Sequence, residues 1–405
     1  QRMVGASVKV MTPHQMASVV YGIKGYEAMA LDLKGCDVIL DEIHTYSDTI
    51  QAIVLRIIDI LVALGCRIHV GTATMPSLLY DEILRRLGGP SKVCQVKLNN
   101  SILETFNRHR VYKLSGDDDI FPIVDSQVAQ GQKVLLVCNQ VKRAQDLYDR
   151  VAERYSHIPT MLIHSRFRRS DRSDLETQLT SDYNRKPGAC IVVSTQVVEV
   201  SLDISFDAMI TECAPIDALI QRFGRVNRKR STETIGQYKP VYVIAPPEDK
   251  DAPLPYTPDV LRRTFDVIPD HGELMEERQV QSMIDQVYDH LELENIDFSG
   301  VAFSDGHWKL KELWHRAKSA LLEALDINSA VCITESDKEA YTHGDRKTRT
   351  ELEIPVSYHS IAHRNLDQIA QGSRPFVIPD RAYDKEKGLL IGEAQPTNYR
   401  TYEML

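Results

Sequence analysis

The chain has 405 residues, 43% of them hydrophobic and 26% charged, enough for two or three domains with cores of their own. Apolar runs such as Ile53 to Leu64 are broken by Arg56 and Asp59 and stay short of the about 18 residues of a membrane span. The first residues also lack the basic-then-apolar pattern of a secretory signal. Seven cysteines without a CxxC pair indicate neither a disulfide framework nor a zinc site and point to the cytoplasm, while the net charge of -9 argues against a nucleic-acid partner unless basic residues cluster.

From residue 1 to about 245, short Val/Ile/Leu runs recur between longer amphipathic stretches: Val8 to Met11, Val38 to Leu40, Ile68 to Val70, Val134 to Val137 and Ile191 to Val193. Strands buried on both faces by crossover helices read this way. Thr49 to Leu64, with Ser47-Asp48 as a cap, and Val141 to Tyr155 are the clearest helices, and the alternation predicts an α/β architecture. Leu87-Gly88-Gly89-Pro90 and the polar stretch ending in Ser115 to Asp119 read as a linker. Beyond Pro246-Pro247 the pattern turns helical over Thr257 to Ala324, which holds both tryptophans, Trp308 and Trp314. Strand-like runs return at Ala330 to Thr334 and Glu353 to Tyr358.

Val38-Ile39-Leu40-Asp41-Glu42-Ile43-His44 is an apolar strand ending in adjacent carboxylates. At the carboxyl end of a parallel strand such side chains open into a ligand crevice, where one acid can hold Mg²⁺ and the next can deprotonate a water for attack on a γ-phosphate. A capped strand-to-helix junction is the plainer alternative. Thr72-Ala73-Thr74 follows a second strand, where its hydroxyls can bond the acidic cluster or simply make a turn. In Val193 to Ile204 a strand delivers Thr195 and Gln196, with Glu199 and Asp203 at an i, i+4 interval able to read a nucleotide sugar; an exposed helix start would look similar. In Gln221-Arg222-Phe223-Gly224-Arg225-Val226-Asn227-Arg228, Arg225 and Arg228 would share one face of a helix and reach one polyphosphate.

In this order the four segments resemble motifs II, III, V and VI of superfamily 2 DExH helicases. Together with Leu162-Ile163-His164-Ser165-Arg166-Phe167, they are similar to the helicase part of the CRISPR-associated helicase-nuclease of type I interference systems. The resemblance covers about residues 8 to 245; Tyr383 to Leu390 looks, less specifically, like that family's C-terminal domain. It implies tandem RecA-like lobes, the first incomplete (1–117) and the second at 118–246, then a helical linker (247–328) and a C-terminal accessory domain (329–405). By position, Asp41 would coordinate Mg²⁺ and Glu42 would activate the water for ATP hydrolysis. His44 and Gln221 would couple the lobes, with Thr72 and Thr74 as relays. Arg225 and Arg228 would be arginine fingers, Glu199 and Asp203 would lie by the nucleotide, and Thr12, Gln15, Asn139, Ser165, Arg166, Thr195 and Gln196 would line a single-stranded DNA path.

Basic clusters at Arg166 to Arg172 and Arg222 to Arg230 supply the cationic surface that such a path needs inside an acidic protein. None of the twenty glycines precedes a lysine, so no GxxxxGK[ST] phosphate loop is present, and no histidine precedes an aspartate as the family's nuclease signature would require. The chain begins at Gln1, which the resemblance places between motifs Ia and Ib. The expectation is therefore a C-terminal portion of a 3′ to 5′ DNA helicase. Its phosphate loop would come from a second polypeptide, or a preceding stretch of the same one, packed on Val8 to Met11 and Val38 to Leu40, its nuclease domain from outside these residues, and its recruitment from a crRNA-guided surveillance complex. Two rivals are a non-catalytic module that clamps DNA or docks on that complex, and a restriction or repair translocase of the same superfamily.

Overall fold

In the computed structural model, which describes residues 7–46, 48–72, 74–199, 203–229, 231–247, 256–290, 303–304, 307–308 and 329–396, the chain forms two units. The first takes residues 1–102 and 278–327, and the second takes 103–277 and 328–405.

In the first unit, α1 (Pro13–Val20) opens on a reciprocal cap. The Thr12 hydroxyl accepts from the Gln15 N–H at 3.3 Å, and the Gln15 side-chain oxygen accepts from the Thr12 N–H at 3.0 Å. After α2 (Tyr26–Leu33), β1 (Asp37–Asp41) pairs in parallel with β2 (Arg67–Gly71), Asp41 lying opposite Gly71. Between the strands runs α3 (Asp48–Ala63), whose Ile50, Ile53, Val54, Ile57 and Leu61 recur at helical spacing and are buried. Val38, Leu40, Ile68 and Val70 turn one face of the sheet to that core, while Ile39 on the opposite face is 75% exposed. The cap expected at Ser47 lies outside the described residues. α4 (Ser77–Arg86) follows β2, and α5 (Asn100–Glu104) leads out of the unit.

The run Val8 to Met11 is not a strand. Val8 and Val10 are 83% and 92% exposed, and the segment pairs with no strand among the described residues, without which an extended backbone has nowhere to place its hydrogen bonds.

The second unit is built on β3 (His109–Leu114), β4 (Lys133–Val137), β5 (Thr160–Ile163), β6 (Cys190–Ser194), β7 (Ala208–Glu212), β8 (Lys239–Ile244) and β9 (Glu273–Leu274). They form one sheet in the order β5-β6-β4-β7-β8-β3-β9, parallel throughout except for β9. β6 is buried along its whole length, which explains its unbroken apolar sequence. Helices α6 (Ile120–Ala129) and α7 (Val141–Arg154) pack Val124, Ala144, Leu147 and Val151 against Val134, Leu136, Leu162 and Val193. The remaining helices are α8 (Arg169–Gln178), α9 (Ile216–Phe223) and α10 (Pro258–Val267). Helix α11 (Glu277–Val287) returns the chain to the first unit, where β10 (Phe303–Ser304) pairs with β11 (His307–Trp308). Trp314 lies outside the described residues.

The chain closes within the second unit. β12 (Ser329–Thr334), β13 (Ile354–Ser357) and β14 (Phe376–Ile378) form a mixed sheet in the order β13-β12-β14, followed by the hairpin β15 (Tyr383–Asp384) and β16 (Gly388–Leu389). Cys332, Ile354, Ile361, Ile378 and Leu389 make its core.

Candidate functional site

Asp41 and Glu42 stand at the carboxyl end of β1. Asp41 is exposed, and its Oδ1 lies 3.8 Å from where a Cβ on Gly71 would sit, so the glycine leaves open space beside the carboxylate. Glu42 has φ +46°, a left-handed conformation that a non-glycine residue adopts at some cost. Its N–H is anchored on the Gly71 carbonyl at 3.0 Å. The chain then turns at once, so the two carboxylates do not continue the strand's alternation.

His44 is buried two residues on, and both its ring nitrogens are engaged. Nδ1 lies 2.7 Å from the Thr72 hydroxyl and Nε2 2.5 Å from the Thr74 hydroxyl. Glu42 Oε2 is 3.4 Å from both the Thr72 hydroxyl and His44 Nδ1. Gln51 Nε2 donates to the carbonyls of His44 and Tyr46 and so fixes the turn from α3. Tyr46 has its pKa raised by burial and by the Asp41 charge. A hydroxyl-histidine-hydroxyl chain thus joins the ends of β1 and β2 directly behind exposed Asp41 and half-buried Glu42.

In the second unit the carboxyl ends of three adjacent strands, β6, β4 and β7, converge on Arg222, which is fully buried. Its Nε donates to Glu199 Oε1 at 2.7 Å, its Nη1 to the Thr211 hydroxyl at 2.8 Å, and its Nη2 to Asn139 Oδ1 at 2.9 Å. Asn139 also donates to the Cys213 carbonyl at 2.8 Å and accepts from Gln196 Nε2 at 2.8 Å. Burial raises the pKa of Glu199 and of Glu212 despite their nearby arginines. Arg225 turns inward too, donating to the carbonyls of Val198 and Glu199, whereas Arg228 faces solvent and pairs with exposed Asp203 at 3.3 Å. The two do not share a helix: α9 stops at Phe223, and Asn227 has φ +52°. Glu199 belongs to a short 3₁₀ turn over Gln196–Glu199, and Asp203 lies in no helix.

Thr195 is buried and Gln221 is partly exposed. Ser165 and Arg166 lie on the loop after β5, and Thr12 and Gln15 are exposed and bonded to one another across the start of α1. Among the described residues, no group of three or more His, Cys, Asp or Glu side chains is placed to hold a metal by itself, and no helix is long and apolar enough to cross a membrane.

Residues 130–231 match the family described as CRISPR-associated nuclease/helicase Cas3, C-terminal. Over this segment the chain is similar to the Cas3 proteins. It is 26% identical over 299 residues to the CRISPR-associated nuclease/helicase Cas3 of Methanothermobacter thermautotrophicus, covering 71% of this chain and 35% of that protein. Against the CRISPR-associated endonuclease/helicase Cas3 of Escherichia coli it is 27% identical over 274 residues, 60% of this chain and 30% of the other. The chain thus spans about a third of these Cas3 proteins. Crystallised T. fusca Cas3 with AMPPNP superposes with a TM-score of 0.68 at 18% identity, covering 93% of this chain and 56% of that one. A chain from a pre-nicking CRISPR RNA-guided surveillance complex does so at 0.64 and 18%, covering 93% and 59%. At these identities the structural likeness is one of fold, and it agrees with tandem RecA-like lobes.

The likeness to Cas3 proteins leaves the individual residues to be read from geometry. Within the first unit Asp41, Glu42, His44, Thr72 and Thr74 come together, and within the second Asn139, Gln196, Glu199 and Arg225 do. Sequence reasoning counted Arg222 and Arg225 in a cationic surface, whereas both are buried, and it passed over Glu212. The one signal for Arg222 and Glu212 was adjacency, Arg222 beside Gln221 and Glu212 at the end of an apolar strand.

Proposed function

We propose that this chain is the C-terminal portion of an ATP-dependent helicase that moves 3′ to 5′ along single-stranded DNA in type I CRISPR interference, in the cytoplasm. The observation that carries the reading is the acid pair Asp41-Glu42 at a parallel strand end, backed by a histidine held on both ring nitrogens.

Asp41 suits Mg²⁺, which takes one or two carboxylates together with phosphate oxygens and waters. The carboxylate is an exposed oxygen donor with open space at Gly71 beside it. When bound there, the ion would draw negative charge from the phosphates. Glu42 accepts the proton of the attacking water, and its side chain is 44% exposed and therefore open to water. His44 and Thr72 orient Glu42, and Thr74 holds His44, so a displacement of the β2 end alters the base. Gln221, Arg225 and Arg228 serve as the coupling residue and arginine fingers, and Glu199 and Asp203 as nucleotide-side residues.

Asn139, Ser165, Arg166, Thr195, Gln196, Thr12 and Gln15 form the strand-binding set. The phosphate-binding loop and the nuclease domain lie outside these 405 residues, in keeping with the absence of a Gly-Lys pair and of a His-Asp pair from the sequence. A crRNA-guided surveillance complex is the proposed recruiter, and the fold likeness to a chain of such a complex supports this. In the complete protein, Glu42→Gln should retain ATP binding and lose DNA-stimulated hydrolysis. Undiminished turnover would overturn the assignment of the base.

A further inference from the structure

The loop that carries Ser165 and Arg166 leaves β5 and reaches α8 in a few residues, and its backbone is fastened by the end of the chain. The Leu389 N–H donates to the Arg166 carbonyl at 2.9 Å. His164 Nδ1 accepts the Arg166 N–H at 3.1 Å, which leaves Nε2 to donate to the Lys387 carbonyl at 2.9 Å. That tautomer is the neutral one, and burial keeps it neutral by pushing the His164 pKa down to about 4. Farther along, the Tyr383 hydroxyl accepts the Arg168 N–H at 2.9 Å and donates to Asp171 at 2.7 Å.

The hairpin β15–β16 is itself fixed from α7. Gln145 Nε2 donates to the carbonyls of Lys387 and Leu389 at 2.7 and 3.1 Å, and Lys387 pairs with Asp149 at 2.6 Å. Gly388, between the two bonded carbonyls, has φ +69°. A Cβ there would lie 2.6 Å from His164 Cε1 and 2.8 Å from the Arg166 carbonyl oxygen. Only glycine allows the hairpin this close to the loop.

We infer that the hairpin β15–β16 is a positioning element for Arg166, so that the C-terminal subdomain sets the geometry of one phosphate contact on the nucleic-acid strand. The inference rests on the reading of Arg166 as a strand contact. It has support of its own in the side chain, which is partly buried yet has no hydrogen-bond or ion-pair partner among the described residues. Burial and the charge of Arg364, from the C-terminal subdomain, both lower its pKa. Two cations brought together with no acid paired to Arg166 among the described residues are relieved by an anion, and a backbone phosphate is the anion that a translocating strand offers.

The test is the salt dependence of binding to a fluorescent oligothymidylate, measured on the complete protein. Each phosphate contact to a single strand contributes about 0.7 to the slope of log K against log salt. Arg166→Gln should lower the slope by about that much. Gly388→Ala should do the same alone and nothing further in the Arg166→Gln background, and Tyr383→Phe, which keeps the hairpin, should show the same non-additivity at smaller size. Tyr383→Phe carries the test where Gly388→Ala fails to accumulate as folded protein. No change with Arg166→Gln would sink the reading of Arg166 as a strand contact. A change with Arg166→Gln, joined to no effect or a fully additive effect of the hairpin variants, would sink the positioning role alone.

Discussion

Arg222→Met tests whether the buried arginine holds the second unit's strand ends together. Methionine keeps much of the volume, so the perturbation is the loss of the guanidinium's hydrogen bonds to Glu199, Thr211, the Glu212 carbonyl and Asn139. Glu199, whose side chain is only 12% exposed, would lose the guanidinium paired with its carboxylate, and removing one member of such a pair costs about 3–5 kcal/mol. With an m-value of about 3 kcal/mol/M, that moves a urea midpoint by about 1 M or more. The pH dependence has a definite sign. Burial already holds the Glu199 pKa above its ordinary value, so its contribution is present at low pH and is lost as pH rises through the folded-state value. Removing Arg222 raises that pKa further. The variant's deficit should therefore be largest near neutrality and shrink on acidification, and Arg222→Met combined with Glu199→Gln should recover part of it at pH 7. Urea titrations followed by circular dichroism at several pH values decide the matter. A loss below about 1 kcal/mol at pH 7, or one that neither acid nor Glu199→Gln relieves, would refute the reasoning.

Thr74→Val removes the Thr74 hydroxyl from buried His44 Nε2 and should cost about 1–3 kcal/mol in denaturant unfolding, with DNA-stimulated ATP hydrolysis falling more than ATP binding. Because the His164 pKa is depressed to about 4, the intact fold should lose up to about 3 kcal/mol as pH falls from about 6.5 to about 4, and His164→Gln should flatten that dependence in urea midpoints. Arg228→Ala should barely change stability, since its pairing with Asp203 is solvent-exposed, yet lower kcat for ATP by about 10³-fold or more. A stability loss with intact turnover would reverse that assignment.

The parts legible in the sequence are those specified by a few consecutive residues. Val134 to Val137 and Ile191 to Val193 read as strands because a strand covered on both faces has no reason to alternate, and both lie in the parallel sheet. The Asp41-Glu42 pair stood out because an apolar run ended abruptly in two charges. What stayed hidden depends on partners distant in the chain. Arg222 looks like one more member of a basic cluster, and only the arrival of Asn139 from β4, Glu199 from the end of β6 and Thr211 from β7 makes it a buried centre. Helical spacing between Arg225 and Arg228 misled for the same reason. The isolated bridge between Phe206 and Val226 draws the chain off the helix axis, and Asn227 turns it in the left-handed region. Gly388 carries no local mark at all, since its requirement comes from His164 and Arg166 more than 200 positions earlier. The residues that meet ligands sit at strand ends, where composition changes sharply. Those that aim them are recruited from elsewhere in the fold, and their side-chain types alone point to solvent or to an ordinary turn.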